Sequence, residues 1–133
     1  MDKEKIAKVS VSTPIIMEDM LGKVFNLVKN KSDNEELVFS NPTSDHIFYH
    51  EQDCCEYVRI GEIIGDLKDL EGSPILRAEE RTGEFEADDG DSETYTFYEF
   101  ATVKGSVTVR WVGESNGYYS ESVDYIVRNK EGV

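Results

Sequence analysis

Two histidines, His46 and His50, stand four residues apart and are followed by Asp53, Cys54, Cys55 and Glu56. Imidazole, thiolate and carboxylate are the groups that hold zinc or iron. A spacing of four would align His46, His50 and Cys54 on one face of a helix. Ile47-Phe48-Tyr49 between them favours a strand instead, and no second ligand pair in CxxC or HxxxH form occurs elsewhere in the chain. A metal-dependent enzyme using His46, His50, Asp53 and Cys54 is therefore the third reading, and neither a metal nor a cofactor is expected. A catalytic cysteine needs a base in hydrogen-bond reach, and nothing in the sequence brings either histidine against Cys54 or Cys55. Both thiols are expected to be reduced and buried as small hydrophobes, since a bridge between neighbours closes no useful loop. The stretch Gly61 to Gly65 lacks the lysine of a phosphate loop, and DDGD at 88–91 is too short for a calcium hand.

What remains is chemistry of contact. Arg110, Trp111, Glu114, Ser115, Asn116, Tyr118 and Tyr119 combine aromatic area, small hydroxyls, an amide and a guanidinium, the groups that ligand pockets and protein contacts use. With His50, Asp53 and Glu56 they form the candidate site for a ligand or partner. No catalytic residue is assigned.

These residues need a scaffold, and the stretch from Thr94 to Tyr125 supplies its centre. β-branched and aromatic residues there are interrupted only at Lys104-Gly105 and Ser115-Asn116-Gly117, the pattern of three antiparallel strands. A two-residue loop at Lys104-Gly105 sets Val109 opposite Phe100 and Trp111 opposite Tyr98. A three-residue second loop with Gly117 left-handed sets Val109 opposite Val123, so that Val107, Val109, Trp111, Val123 and Tyr125 share an apolar face. Arg110 then lies between Glu99 and Ser122, with its guanidinium directed toward Tyr95, Tyr118 or a ligand.

Upstream, 23–29 and 36–39 alternate around a turn at 30–35 and predict a hairpin, and 46–50 predicts a third strand carrying both histidines on one face. Residues 57–60 and 63–64 are extended, 66–71 and 16–21 form short helical pieces, and 75–80 is extended again after Gly72-Ser73-Pro74. Residues 1–13 and 127–133 are expected as flexible tails, and 83–93 as an acidic surface loop. The fold class is mainly β, an antiparallel sheet or meander of about six to eight strands with one or two short helices, in a single domain spanning 1–133.

Bulk properties narrow the partners. A chain of 133 residues with 38% hydrophobic and 32% charged residues suits one globular domain. Its net charge of −14 opposes direct binding to nucleic acid phosphates and to membrane surfaces. No apolar run approaches the ~20 residues that span a bilayer. A cytoplasmic location is expected, and oligomeric state is left open.

The segments FYHEQDCCEYV at 48–58, GDLKDLEGSPI at 65–75, and TYTFYEFATVKG with VRWVGESNGYYSESV between 94 and 123 resemble a family of small uncharacterised proteins and domains of bacteriophages and prophages. The resemblance covers roughly half the chain and brings no catalytic residues with it. It implies a phage-type accessory protein in a bacterial cytosol. The leading functional expectation is accordingly a non-enzymatic binding protein, an inhibitor of anti-phage defence that takes a small anionic, nucleotide-like ligand or a host defence protein. Arg59, Arg77, Lys104 and Arg110 would supply the local positive charge such an anion needs. The second reading is an acidic mimic of nucleic acid, presenting the carboxylates of 79–93 to the basic surface of a host nuclease.

Overall fold

Thr96, Tyr98, Phe100 and Thr102 are buried while Tyr95, Phe97, Glu99 and Ala101 between them stay partly exposed. This two-residue period makes the segment a strand with one face in the core. In the computed structural model, which describes residues 9–11, 13–86 and 91–130, that strand is β8 (Ser92–Thr102). The others are β1 (Val9–Val11), β2 (Ile15–Ile16), β3 (Leu27–Lys31), β4 (Glu36–Ser40), β5 (Ser44–Tyr49), β6 (Tyr57–Ile64), β7 (Arg77–Glu86), β9 (Gly105–Ser115) and β10 (Asp124–Asn129). All pairings are antiparallel. A six-stranded sheet runs β1-β7-β8-β9-β6 with β2 also on β7, and a four-stranded sheet runs β10-β5-β4-β3. Among the described residues the helical content is two 3-10 turns, Glu18–Met20 and Leu67–Leu70, where short helical pieces were expected. No helix among the described residues is long and apolar enough to cross a membrane.

The inner faces of the two sheets meet through aromatic rings. Phe39 and Phe48 of the small sheet lie 4.8 Å, centroid to centroid, from Phe100 and Tyr98 of the large one. One cluster of buried side chains, including Trp111, Val107, Val109, Leu70 and Met20, fills the space between the sheets. Tyr98 sits wholly inside it and donates its hydroxyl to Glu80 at 2.5 Å; burial pushes its ionisation far above the usual tyrosine range.

The β8–β9 hairpin is where it was expected, but its loop is Val103-Lys104, one residue earlier. Phe100 therefore opposes Val107 and Tyr98 opposes Val109. The slip is two residues along the ladder, an even number, so the same side chains point inward. The second turn is a larger correction. β10 does not return along β9; it pairs with β5, and β9 takes β6 as its second neighbour. Val109 thus faces Ile63, not Val123, and Arg110 stands between Phe97 and Glu62, not between Glu99 and Ser122. Local alternation fits either partner for β10. The choice is tertiary: β6 brings Val58 and Ile60 to the core, while Tyr125 of β10 packs its ring 4.8 Å from Phe48.

Smaller boundaries also move. The first hairpin starts at Leu27, because Lys23 and Phe25 give their carbonyls to the amides of Ile75 and Gly72 instead of to β4. The predicted tails are partly strand. Val9–Val11 pairs with β7, and β10 runs to Asn129, with Lys130 donating to Thr43, Ser40 and Asn41; residues 1–8, 12 and 131–133 lie outside the described residues. The predicted acidic loop shortens at both ends, since β7 extends to Glu86 and β8 begins at Ser92; 87–90, most of the DDGD motif, lies outside the described residues. His50 falls just past the end of β5, whose last residue is Tyr49, so the two histidines do not share a strand face.

Candidate functional site

The connection from β5 to β6 is held by one carboxylate. Glu56, buried, accepts from the backbone amides of Asp53 at 2.8 Å and Cys54 at 3.0 Å, closing a tight loop. His50 Nε2 lies 2.7 Å from the same carboxylate, and His50 Nδ1 lies 2.7 Å from the carbonyl oxygen of Ser122. Both ring nitrogens thus face oxygen acceptors, one on each connection. The hydrogen bond from His50, assisted by the two amides and opposed by burial, holds the Glu56 carboxyl down to about 2. Gln52 Nε2 closes the loop further by donating to the carbonyls of Cys54 and Glu56.

A second buried carboxylate holds the connection from β9 to β10. Glu121 accepts from Ser92 Oγ at 3.1 Å, Thr94 Oγ1 at 2.8 Å and Ser115 Oγ. Gly113 permits this crossing: a Cβ there would lie 2.6 Å from the Glu121 carbonyl oxygen and 2.7 Å from its Cβ. Ser115 Oγ also accepts from the Gly117 amide, and Asn116 Oδ1 from the Tyr118 amide, which shape the turn around the left-handed Gly117. The two connections are joined to each other by the His50–Ser122 bond and by the Glu51 amide donating to Asp124 at 2.8 Å.

Between them lies an open depression of about 440 Å³ whose lining includes Glu56, Tyr57, Asp91, Glu93, Glu114 and Ser115. Four of those six carry carboxyl groups. Arg59 reaches Glu114 at 3.4 Å and covers the exposed ring of Tyr57 at 4.6 Å, so one acid at the rim is partly offset.

The predicted site residues are thus only partly brought together. Glu56, Glu114 and Ser115 share the depression, His50 joins its two supporting connections, and Asp53 contributes a backbone amide while its side chain is exposed. Asn116 and Tyr118 are exposed on the neighbouring turn, and Tyr119 is half-buried there. Trp111 is a correction: it points into the core with no exposure, because the period of β9 assigns it to the inner face with Val107 and Val109. Arg110 lies on the opposite, outer face of the sheet, paired with Glu62 at 3.3 Å and placed over the Tyr95 ring at 5.3 Å. Tyr95 was one of its expected targets; Glu99 was not reached.

The proposed metal ligands are dispersed. His46 is buried in the small sheet, its Nδ1 2.7 Å from the Tyr125 hydroxyl, and desolvation lowers its basicity. Among the described residues no group of three or more His, Cys, Asp or Glu is placed to hold a metal ion. Cys54 and Cys55 overturn the reading of buried, reduced thiols: both are exposed, and their sulfurs are bonded to each other. The tight loop imposed by Glu56 keeps these neighbours at the surface. Sequence reasoning missed Ser92 and Thr94 altogether, and it included Glu121 only as the end of the candidate stretch 110–121, without a role of its own. Their contacts span 29 and 27 residues, and nothing local distinguishes this acid from the other carboxylates of the chain.

No curated protein and no solved structure matches the chain. Residues 18–125, from the first 3-10 turn to the start of β10, match the family model of a domain of unknown function, DUF7448, and the chain belongs to that family.

Proposed function

We propose that this protein is a non-enzymatic binding module that engages a cationic group on a protein partner at the depression between the β5–β6 and β9–β10 connections. The observation that carries the reading is the pair of buried carboxylates, Glu56 and Glu121, each saturated by three donors and each fixing one wall of an acid-lined surface. Such preorganisation lowers the ordering cost of association. The saturated carboxylates hold shape, while Glu93 and Glu114 at the rim supply charge for contact.

The acid lining argues for a basic protein surface over a small anionic messenger at this place. With the net charge of −14, it favours steering toward the basic channel of a nuclease, a fitting target for a phage-type inhibitor of host defence in the bacterial cytosol. A fluorescently labelled oligo-arginine peptide tests the site. Glu93→Gln/Glu114→Gln is compared with Asp33→Asn/Glu35→Gln, which removes the same charge at the β3–β4 turn. The reading expects the first pair to weaken binding several-fold more than the second, and binding to fall as salt rises. Equal losses in the two variants would reduce the interaction to bulk charge and overturn the site.

A further inference from the structure

Four of the chain's five arginines, Arg59, Arg77, Arg81 and Arg110, lie on the outer face of the six-stranded sheet. Residues that are direct partners across a ladder share a face, so the register gives this surface row by row. One row reads Arg81–Phe97–Arg110–Glu62 from β7 through β8 and β9 to β6. The row on one side reads Gly83–Tyr95–Val112–Arg59, and the row on the other Glu79–Glu99–Thr108–Ile64. Arg59 and Glu62 are three apart in sequence and still share the face because a bulge falls between Ile60 and Glu62. Gly61 fills that bulge, where a Cβ would lie 2.7 Å from Val112 Cγ2.

We propose that this face is the contact between two copies of the chain, packed face to face about a twofold axis that runs along the strands between β8 and β9. Such an axis lays each row on its own reverse. Arg81 then meets the partner copy's Glu62, and Phe97 meets its Arg110, a guanidinium over a ring. In the flanking rows Tyr95 meets Val112, Glu99 meets Thr108, Glu79 meets Ile64 and Gly83 meets Arg59. No like charges are opposed in any of the three rows. That matters for a chain of net charge −14, whose copies repel one another over most approaches. Phe97, half-buried among Glu79, Arg81, Glu99 and Thr108 in a shallow depression of about 260 Å³, marks the apolar centre. Four strands about 4.8 Å apart and three rows about 6.6 Å apart give a flat footprint of roughly 400 Å². That is about half the ~800 Å² per partner of a standard interface, the size of a weaker, concentration-dependent contact.

Sedimentation equilibrium over a concentration series, with circular dichroism to verify folding, tests the proposal on the full chain. Arg81 and Glu62 are both exposed, so their substitution leaves the core intact. Wild type is expected at twice the mass of one chain. Arg81→Glu opposes two glutamates across the axis and Glu62→Arg opposes two arginines, and each variant alone is expected to dissociate at least tenfold more readily. An equimolar mixture of the two restores opposite charges at both contacts and is expected to recover the dimer as a heterodimer. A wild type that stays monomeric throughout, single variants that dimerise like wild type, or a mixture that remains monomeric would each overturn the interface.

Discussion

At the residue scale the account rests on carboxylates that do structural work under a roof of donors. Glu56 ionises at about 2 in the folded chain against an ordinary value of 4.5, with the His50 hydrogen bond the largest cause. A depressed carboxyl contributes stability that is fully present above its unfolded value and is lost as pH falls through the folded one. Wild type is therefore expected to lose melting temperature as pH drops from about 4.5 toward about 2. Glu56→Gln is expected to be less stable at neutral pH and to show a flatter fall across that window. Thermal melts at stepped pH check this, and the same slope in both proteins would mean that Glu56 is not held as described. His50 was legible as a polar group near Glu56, six residues away. Glu121 was not, because a carboxylate satisfied by hydroxyls from β8 and β9 leaves no local trace in the sequence.

At the scale of elements, what could be read followed from period and what could not followed from partner choice. The inner face of β8 and β9 was legible because Tyr98, Phe100, Val107, Val109 and Trp111 alternate with polar residues, and a two-residue error in the loop preserved that face. The same alternation assigns Trp111 to the apolar face with Val107 and Val109, where the structure has it, so its ring serves the core and not the contact surface. The destination of β10 was illegible. Val123 and Tyr125 would pack as well on β9 as over Phe48, and the decision depends on β6, whose bulge at Gly61 is invisible to simple alternation. Gly113 lets the β9–β10 connection cross β9, so Gly113→Ala should push the Glu121 segment off its seat. Overpacking of this kind typically costs about 1–3 kcal/mol. Chemical denaturation is expected to show a loss of that size, together with faster amide exchange at 115–122. A loss below about 0.5 kcal/mol, within the usual range of a neutral surface change, would contradict the close crossing.

For the whole molecule, charge is the dominant property. A net charge of −14 on 133 residues destabilises the compact state through self-repulsion, and salt relieves it. Melting temperature is expected to rise between about 0.01 M and about 1 M sodium chloride, over which the screening length falls from about 30 to about 3 Å. A falling melting temperature would mean that attractive pairs such as Arg59–Glu114 and Arg110–Glu62 outweigh the repulsion, a result at odds with their partial exposure. Because so acidic a chain attracts any polycation to some degree, binding alone does not locate a site. Mapping does. Backbone amide chemical shifts, recorded by nuclear magnetic resonance during titration with an oligo-arginine peptide, show where on the surface the cation sits. The account predicts that the largest shifts cluster at 53–57, 91–93 and 113–121, the walls and rim of one depression. Shifts spread evenly over the acidic surface, or concentrated at the β3–β4 turn, would contradict it.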